Sequence, residues 1–426
     1  MTFTPIDEPQ RQQVRTDLAA SYLVEAGAGT GKTTLLIDRL SALAQVAGLE
    51  NIAAITFTEK AAAELFARLR RTFNQQLAAA DSGTARRLLE ALGALDRAQV
   101  STIHAFAAGI VREGAFELGL DPEFEHLEES DETTLLQDLL TRRLASPDPE
   151  GRTALASFVQ WGGRLPDLAL LIKKLHTHRD LLEFIAPSRP VSDYEAQMES
   201  LDNLVQAMIQ RADEYCQDSS DYACAPVMQL PPLQSGSGGE DDMPFLQALA
   251  RLSRKGNKKN WRPAEQCELQ KRDIALARAQ ANALINDLRR FSLGEVIPWL
   301  LSLVNQLELR KLEHGRIGYQ DQLLLARRLL ADPTFRRRIQ DRAQRVLIDE
   351  FQDTDPLQAQ IAALLTAGDA DIEDPICELQ PRPGSLFIVG DPKQSIYRFR
   401  RADPEMYRDA AESLNKFGRA VSIVQN

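Results

Sequence analysis

The chain has 426 residues, of which 44% are hydrophobic: enough for two or three domains with sizeable cores, and too many for wholesale disorder. Its 50 Lys and Arg against 61 Asp and Glu give a net charge of −11, which excludes a nucleic-acid binder relying on bulk positive charge but not a local basic groove. No run of about 18 apolar residues occurs, and Met1 to Glu8 lack a basic then apolar leader, so no membrane contact is expected and the cytoplasm is the expected compartment.

The first apolar, β-branched run is Tyr22–Glu25. It leads into Ala26-Gly27-Ala28-Gly29-Thr30-Gly31-Lys32-Thr33, followed by Thr34 and a helical pattern. A strand, a Gly-rich turn and a helix start in that order let backbone N–H groups wrap a polyphosphate at a positive helix end. Lys32 would reach the β and γ phosphates, and Thr33 would hold Mg²⁺. Ala26 stands where the general pattern has Gly, a small departure because an ordinary backbone conformation suffices there.

A second strand run, Ile52–Phe57, comes next. From about Glu113 to Arg310 the texture changes to Leu, Ala, Arg and Glu with helical periodicity, which predicts an inserted helical domain. Within it, residues 225–263 carry Pro231-Pro232, Ser235-Gly236-Ser237-Gly238-Gly239, an acidic triplet and a basic stretch around Lys255, and are expected to form an exposed loop. That basic stretch is read as a solvated loop rather than a contact to duplex DNA. Cys216, Cys224, Cys267 and Cys377 form no CxxC pair and read as reduced thiols.

Two late strand runs, Val346–Ile348 and Leu386–Val389, complete an α/β pattern with a parallel sheet. The first ends in Asp349-Glu350. A strand ending in two carboxylates suits the other half of a phosphate site. Asp349 would bind Mg²⁺, and Glu350 would position and activate a water.

At Asp349-Glu350-Phe351-Gln352-Asp353-Thr354 the sequence resembles the UvrD/Rep/RecB group of superfamily 1 DNA helicases. Other segments match that family in order. Gln10 resembles the glutamine that reads adenine. Thr56-Phe57-Thr58-Glu59-Lys60-Ala61-Ala62-Ala63-Glu64-Leu65 resembles motif Ia, Ser101-Thr102-Ile103-His104-Ala105-Phe106 motif Ic, and Gly390-Asp391-Pro392-Lys393-Gln394-Ser395-Ile396-Tyr397-Arg398-Phe399-Arg400 motif III. The resemblance implies ATP and Mg²⁺ as cofactors and a RecA-like P-loop NTPase sheet carrying a large all-helical insertion. It divides the chain into 1–112, 113–310 and 311–426, with Tyr319-Gln320-Asp321-Gln322-Leu323-Leu324 resembling the return to the core. It also implies a groove for single-stranded DNA lined by Thr56, Phe57, Thr58, Thr102, His104, Tyr397, Phe399 and Arg400, in which aromatic faces stack on bases. Gln394 would sense the γ-phosphate. His104 can equally be read as bracing its loop, and Phe57 as a core residue at a strand end. Phe399 stands where the family often has Trp, and Arg401 where it often has Gly, which removes the freedom of a Gly turn.

The Lys393-Gln394-Ser395-Ile396-Tyr397 form and the wide insertion resemble the RecB/AddA branch, which works with a partner protein in a helicase–nuclease. The segment Gly418–Asn426 resembles the lead-in to motif IV, so the second RecA-like domain and any nuclease domain are expected to be absent. The expected function is ATP-driven movement on single-stranded DNA, 3′ to 5′ by resemblance, in recombination and repair. The chain alone is expected to be a weak motor or none. Two other readings are a regulatory ATP- and DNA-binding module without motor activity, and a P-loop small-molecule kinase, which would have no need of motifs Ia, Ic and III.

Overall fold

The computed structural model describes residues 6–184, 191, 193–233, 242–368, 370–371, 373–396 and 401–424. Eight strands occur among them: β1 Tyr22–Ala26, β2 Ile52–Thr56, β3 Gln99–Thr102, β4 Glu125–His126, β5 Arg316–Ile317, β6 Arg345–Ile348, β7 Leu386–Gly390 and β8 Arg419–Ile423. Six of them form one sheet in the order β3-β2-β6-β7-β1-β8, every neighbouring pair parallel. β4 and β5 pair by themselves.

The central strands are continuous apolar runs because both of their faces are buried. Leu23, Ile55 and Ile348 join a core with Phe106, Leu329 and Ile361 on one face. Val24, Ala54, Leu347 and Val389 join a second core with Leu36, Leu40, Leu69 and Phe73 on the other. Parallel pairing sets all the carboxyl ends along one edge. Register places Ile55 opposite Ile348, Ile348 opposite Ile388, and Glu25 opposite Gly390. The turns after β6, β7 and β1 are therefore neighbours, and those after β2 and β3 lie beside them.

The four expected strands are present, and two more join them at the sheet edges. β3 is only partly buried along its length, and most of β8 faces solvent. Edge strands of this kind need no apolar run, so Gln99-Val100-Ser101-Thr102 and Arg419-Ala420-Val421-Ser422-Ile423 do not stand out by composition.

The chain divides into two compact units. One comprises residues up to Glu128 together with Lys311 onward, and the other is Glu129–Arg310. The first unit extends past residue 112, because the helix Ala115–Leu118 and β4 belong to it: Ala115, Leu120 and Phe124 are buried in the same core as Phe106. At its re-entry, Lys311 and Asp321 form a buried ion pair at 2.7 Å, and Asp321 also accepts from the Gly318 amide at 2.8 Å.

The unit Glu129–Arg310 is helical among its described residues apart from one isolated bridge between Cys216 and Trp261. Its spine is the helix Glu265–Glu313, which is interrupted in its hydrogen-bond ladder by Pro298. Ile274, Ala281 and Leu288 on this helix pack with Leu201, Met208, Phe245 and Trp261, whereas Val296, Leu300 and Leu303 pack with Leu140, Phe158 and Ile172.

The exposed loop expected at 225–263 is overturned for most of its length. The segment contains the helices Ala225–Met228 and Met243–Arg251, and it buries Val227, Phe245, Leu246, Leu249, Leu252 and Trp261. Phe245, Leu249 and Leu252 recur at helical spacing, a signal hidden between the Pro/Gly run and the lysines. Asp221 then ties the two flanks together, accepting from the Asn257 amide at 2.9 Å and from Asn260 Nδ2 at 3.0 Å. Residues 234–241 of the segment lie outside the described residues.

Candidate functional site

β1 ends at the buried Ala26, and the following turn closes on itself, with Thr30 Oγ1 donating to the Gly27 carbonyl at 2.8 Å. Gly29 and Gly31 adopt φ of +75° and +86°. A side chain at either position would be strained, so these glycines are required by the backbone path rather than by composition. Gly31 then caps the helix Lys32–Ala47. Ala28, Gly29 and Thr34 are exposed, while Gly27, Gly31, Lys32 and Thr33 are half-buried, so the cradle opens to solvent.

The turn is braced from a direction that the sequence does not announce. Arg11 donates to Asp7 Oδ1 at 2.8 Å and to the Thr30 carbonyl at 2.8 Å. Asp7 Oδ2 in turn accepts from the Val424 amide at 2.8 Å, which ties the helix Glu8–Thr16 to the end of β8. Gln10 is an exposed residue of this helix, next to Arg11. The only sequence signal is an Asp and an Arg four residues apart at a helix start, which alone reads as an ordinary surface pair.

At the end of β6, the Asp349 amide donates to the Ile55 carbonyl at 2.9 Å, which locks β6 to β2. Glu350 takes φ +54°, a left-handed conformation that is costly for a residue with a Cβ. Its carboxylate lies 3.1 Å from Lys32 Nζ. Sites 318 residues apart in sequence are thus brought together, as expected for two halves of one phosphate site. Burial, and then the neighbouring Glu350 charge, push the Asp349 carboxyl up to about 6. Asp353 is raised for the same two reasons, and its buried Oδ1 has no hydrogen-bond partner among the described residues.

This carboxylate-rich pocket with a single lysine fits a divalent cation. The hydroxyl of Thr33 and the carboxylate of Asp349 are hard oxygen donors of the kind Mg²⁺ takes. Among the described residues no group of three or more His, Cys, Asp or Glu could hold an ion alone. That suits Mg²⁺, which usually binds through one or two carboxylates, with substrate phosphates and water completing its shell.

The turn after β7 closes the third side. Asp391 Oδ1 accepts from the Lys393 amide at 3.0 Å, and Asp391 Oδ2 accepts from Gln394 Nε2 at 2.6 Å. A Cβ built on Gly27 would lie 3.9 Å from Asp391 Oδ2, which places this turn against the Gly-rich loop. Gln394, Lys32, Asp349 and Glu350 therefore belong to adjacent turns of one sheet edge.

The candidates for DNA contact fall on the turns after β2 and β3. Thr58 caps the helix Glu59–Leu77, accepting from the Ala61 amide at 3.1 Å, and Thr102 caps Ile103–Glu113, accepting from the Ala105 amide at 3.2 Å. Thr56 is buried and donates to the Thr58 carbonyl at 3.1 Å. Phe57 and Glu350 both line a void of about 20 Å³, so this side of the edge adjoins the carboxylates. Tyr397, Phe399 and Arg400 lie outside the described residues. Arg401 adopts φ +70°. The left-handed turn is thus kept without glycine, contrary to the expected loss of that conformation, at a cost of roughly 1–2 kcal/mol.

Two smaller effects are testable here. Replacing Thr58 with alanine is expected to cost about 1 kcal/mol in a urea melt, the usual worth of an N-cap. His104 stacks edge-on against Tyr319 at 5.1 Å, and His126 lies 3.9 Å from the same ring. Burial, and then His126, hold the His104 imidazole below its ordinary value. The folded chain therefore resists protonation that the unfolded chain accepts, and stability is lost as pH falls below the ordinary histidine range. His104→Gln is expected to lose less stability than the parent between pH 7 and pH 5.5; an equally steep acid limb would contradict this.

Comparison with known proteins follows the same lines. The sequence profile described as UvrD/REP helicase N-terminal domain matches residues 6–415. A protein of Ligilactobacillus salivarius, named as the first subunit of an ATP-dependent helicase/nuclease, is 25% identical over 95% of this chain and 36% of its own length. Proteins of the same name from Moorella thermoacetica and Syntrophomonas wolfei are 29% and 27% identical, over 91% and 92% of this chain and 31% and 34% of theirs. The chain thus spans about a third of the length of these relatives. Their shared name is that of the helicase–nuclease branch to which the Lys393–Tyr397 form pointed. With a parallel sheet, a Gly-rich loop facing a pair of carboxylates, and a profile match over nearly its whole length, the chain belongs to the UvrD/REP helicase N-terminal domain family.

Proposed function

We propose that this chain is the ATP-binding part of a 3′ to 5′ DNA translocase that couples ATP hydrolysis to movement on single-stranded DNA in recombination and repair. The observation that carries the reading is the meeting of Lys32 with Glu350 at 3.1 Å, beside Asp349 and the Gly29–Gly31 turn. In this reading the loop amides and Lys32 hold the phosphates of ATP, and Gln10 reads the base. Thr33 and Asp349 hold Mg²⁺, which neutralises phosphate charge when bound. Glu350 orients a water for attack on the γ-phosphate and takes its proton, while Gln394 reports whether that phosphate is present.

Single-stranded DNA runs past Thr56, Phe57, Thr58, Thr102 and His104, with Tyr397, Phe399 and Arg400 completing the track. The void shared by Phe57 and Glu350 supports contact between the two sites, because a change at either wall is felt at the other. The relatives are named as one component of a helicase/nuclease. That name supports a second component working beside this chain, in the cytoplasm, on duplex as well as single-stranded DNA.

The test is linkage. ATP turnover and the affinity for a fluorescent ATP analogue are measured with and without oligothymidylate. A DNA-dependent rise in turnover, or a reciprocal change in the two affinities, is expected. Nucleotide binding indifferent to the oligonucleotide would sink the translocase and leave a nucleotide-binding module.

A further inference from the structure

Gln352 has had no role so far, yet it is the most connected side chain in the site. It is 3% exposed. Its Nε2 donates to Glu350 Oε2 at 2.8 Å and to Asp353 Oδ2 at 3.3 Å, and its Oε1 accepts from the Asp391 amide at 2.9 Å. Its backbone carbonyl accepts from Ser395 Oγ at 3.2 Å. A single amide thus bridges the turn after β6 to the turn after β7, where Asp391 holds Gln394. The approach depends on Gly390, since a Cβ there would come within 2.8 Å of Gln352 Oε1.

The chemistry demanded at this position is narrow. One end must donate to carboxylates and the other must accept from an amide, across the length of a glutamine side chain. A neutral amide meets both demands, a carboxylate meets only the second, and an aliphatic chain meets neither.

Resting on the nucleotide reading of the site, we propose that Gln352 is a positioning residue that couples Glu350 to the Asp391–Ser395 turn. Glu350 Oε2 is shared between Lys32 and Gln352. When a phosphate draws Lys32 away, Gln352 remains to hold the carboxylate. The same amide carries the position of that carboxylate to Asp391, and through it to Gln394. Loss of a γ-phosphate at Gln394 and release of Glu350 are then one event rather than two.

The experiment compares the parent chain with Gln352→Met and Gln352→Glu. Thermal melting reports the fold, titration reports affinity for ADP and for a non-hydrolysable ATP analogue, and turnover is followed with oligothymidylate present. Gln352→Met removes both bonds at nearly constant length. Gln352→Glu keeps the acceptor for the Asp391 amide and is the variant to rely on if the methionine chain does not fold. With the coupling in place, ADP affinity stays within about threefold, while preference for the analogue over ADP falls roughly 5- to 150-fold, the usual span of site-to-site coupling. Turnover falls alongside that preference. Parental nucleotide preference in a folded variant overturns the proposal and leaves Gln352 as packing. Loss of ADP binding together with the melting transition in both variants assigns it a structural role only, and also overturns the proposal. If the parent binds neither nucleotide, the nucleotide reading itself falls and takes this coupling with it.

Discussion

Glu350→Gln is expected to lower ATP turnover by about 10²- to 10⁴-fold, the usual worth of a general base, while leaving nucleotide affinity unchanged or higher. Glutamine has the shape of glutamate and can still accept the hydrogen bond that Gln352 Nε2 donates at 2.8 Å. It cannot take a proton from water. The substitution also cancels the ion pair that holds Lys32 in the ligand-free chain. Lys32 is then free for phosphate at no cost of separation, so binding should not weaken. Single-turnover hydrolysis with oligothymidylate, set beside titration of a fluorescent ATP analogue, separates the two effects. Turnover close to that of the parent would remove Glu350 from the chemistry. A matching loss of affinity would mean that its charge organises the pocket rather than acting on water.

Much of this site is legible because its pieces are continuous in sequence. The Gly-rich loop and Asp349-Glu350 each follow a buried strand, and a strand buried on both faces announces itself as an apolar run. Their convergence at 3.1 Å then follows from parallel pairing, which puts every such turn at one edge. What sequence conceals is the set of contacts made by residues with ordinary surface chemistry. Arg11 bracing the Thr30 carbonyl, Gln352 bridging two turns, and His126 beside Tyr319 depend on the register of elements far apart in the chain. No local pattern distinguishes them from solvated side chains.

The departures have physical causes of the same kind. β3 and β8 lie at sheet edges, so their alternation is mixed with polar residues and carries no apolar run. The segment 225–263 reads as a loop because turn-forming and charged residues outnumber its apolar ones, although Phe245, Leu246, Leu249 and Trp261 are enough to anchor it. At Arg401 the inference from side-chain type fails because the surrounding turn holds φ +70° regardless of the residue placed there.

Lys32→Ala is expected to weaken binding of an ATP analogue by about 30- to 5,000-fold, corresponding to the roughly 2–5 kcal/mol lost when one partner of a desolvated charge pair is removed. Its side chain is only 10% exposed, and among the described residues it is the one lysine in contact with Glu350, so no neighbouring charge replaces it. A second consequence appears without any ligand. Lys32 lowers the pKa of both Asp349 and Asp353 against the raising effects of burial and Glu350. Without it, both carboxyls move further above their unfolded values. An acid whose folded value is raised costs nothing while it is protonated in both states, and costs stability as pH climbs through the window between the two values. The alanine chain should therefore match the parent at a pH near 4 and fall progressively behind it toward pH 7, a divergence that urea melts at several pH values will show. Lys32→Arg divides the two effects. It restores the charge, and with it the pH dependence of the parent, but its wider planar head does not reproduce a compact ammonium, so nucleotide affinity stays low. If arginine instead restored binding as well, the role of Lys32 would be bulk charge, and the close geometry of the loop would matter less than the field it creates.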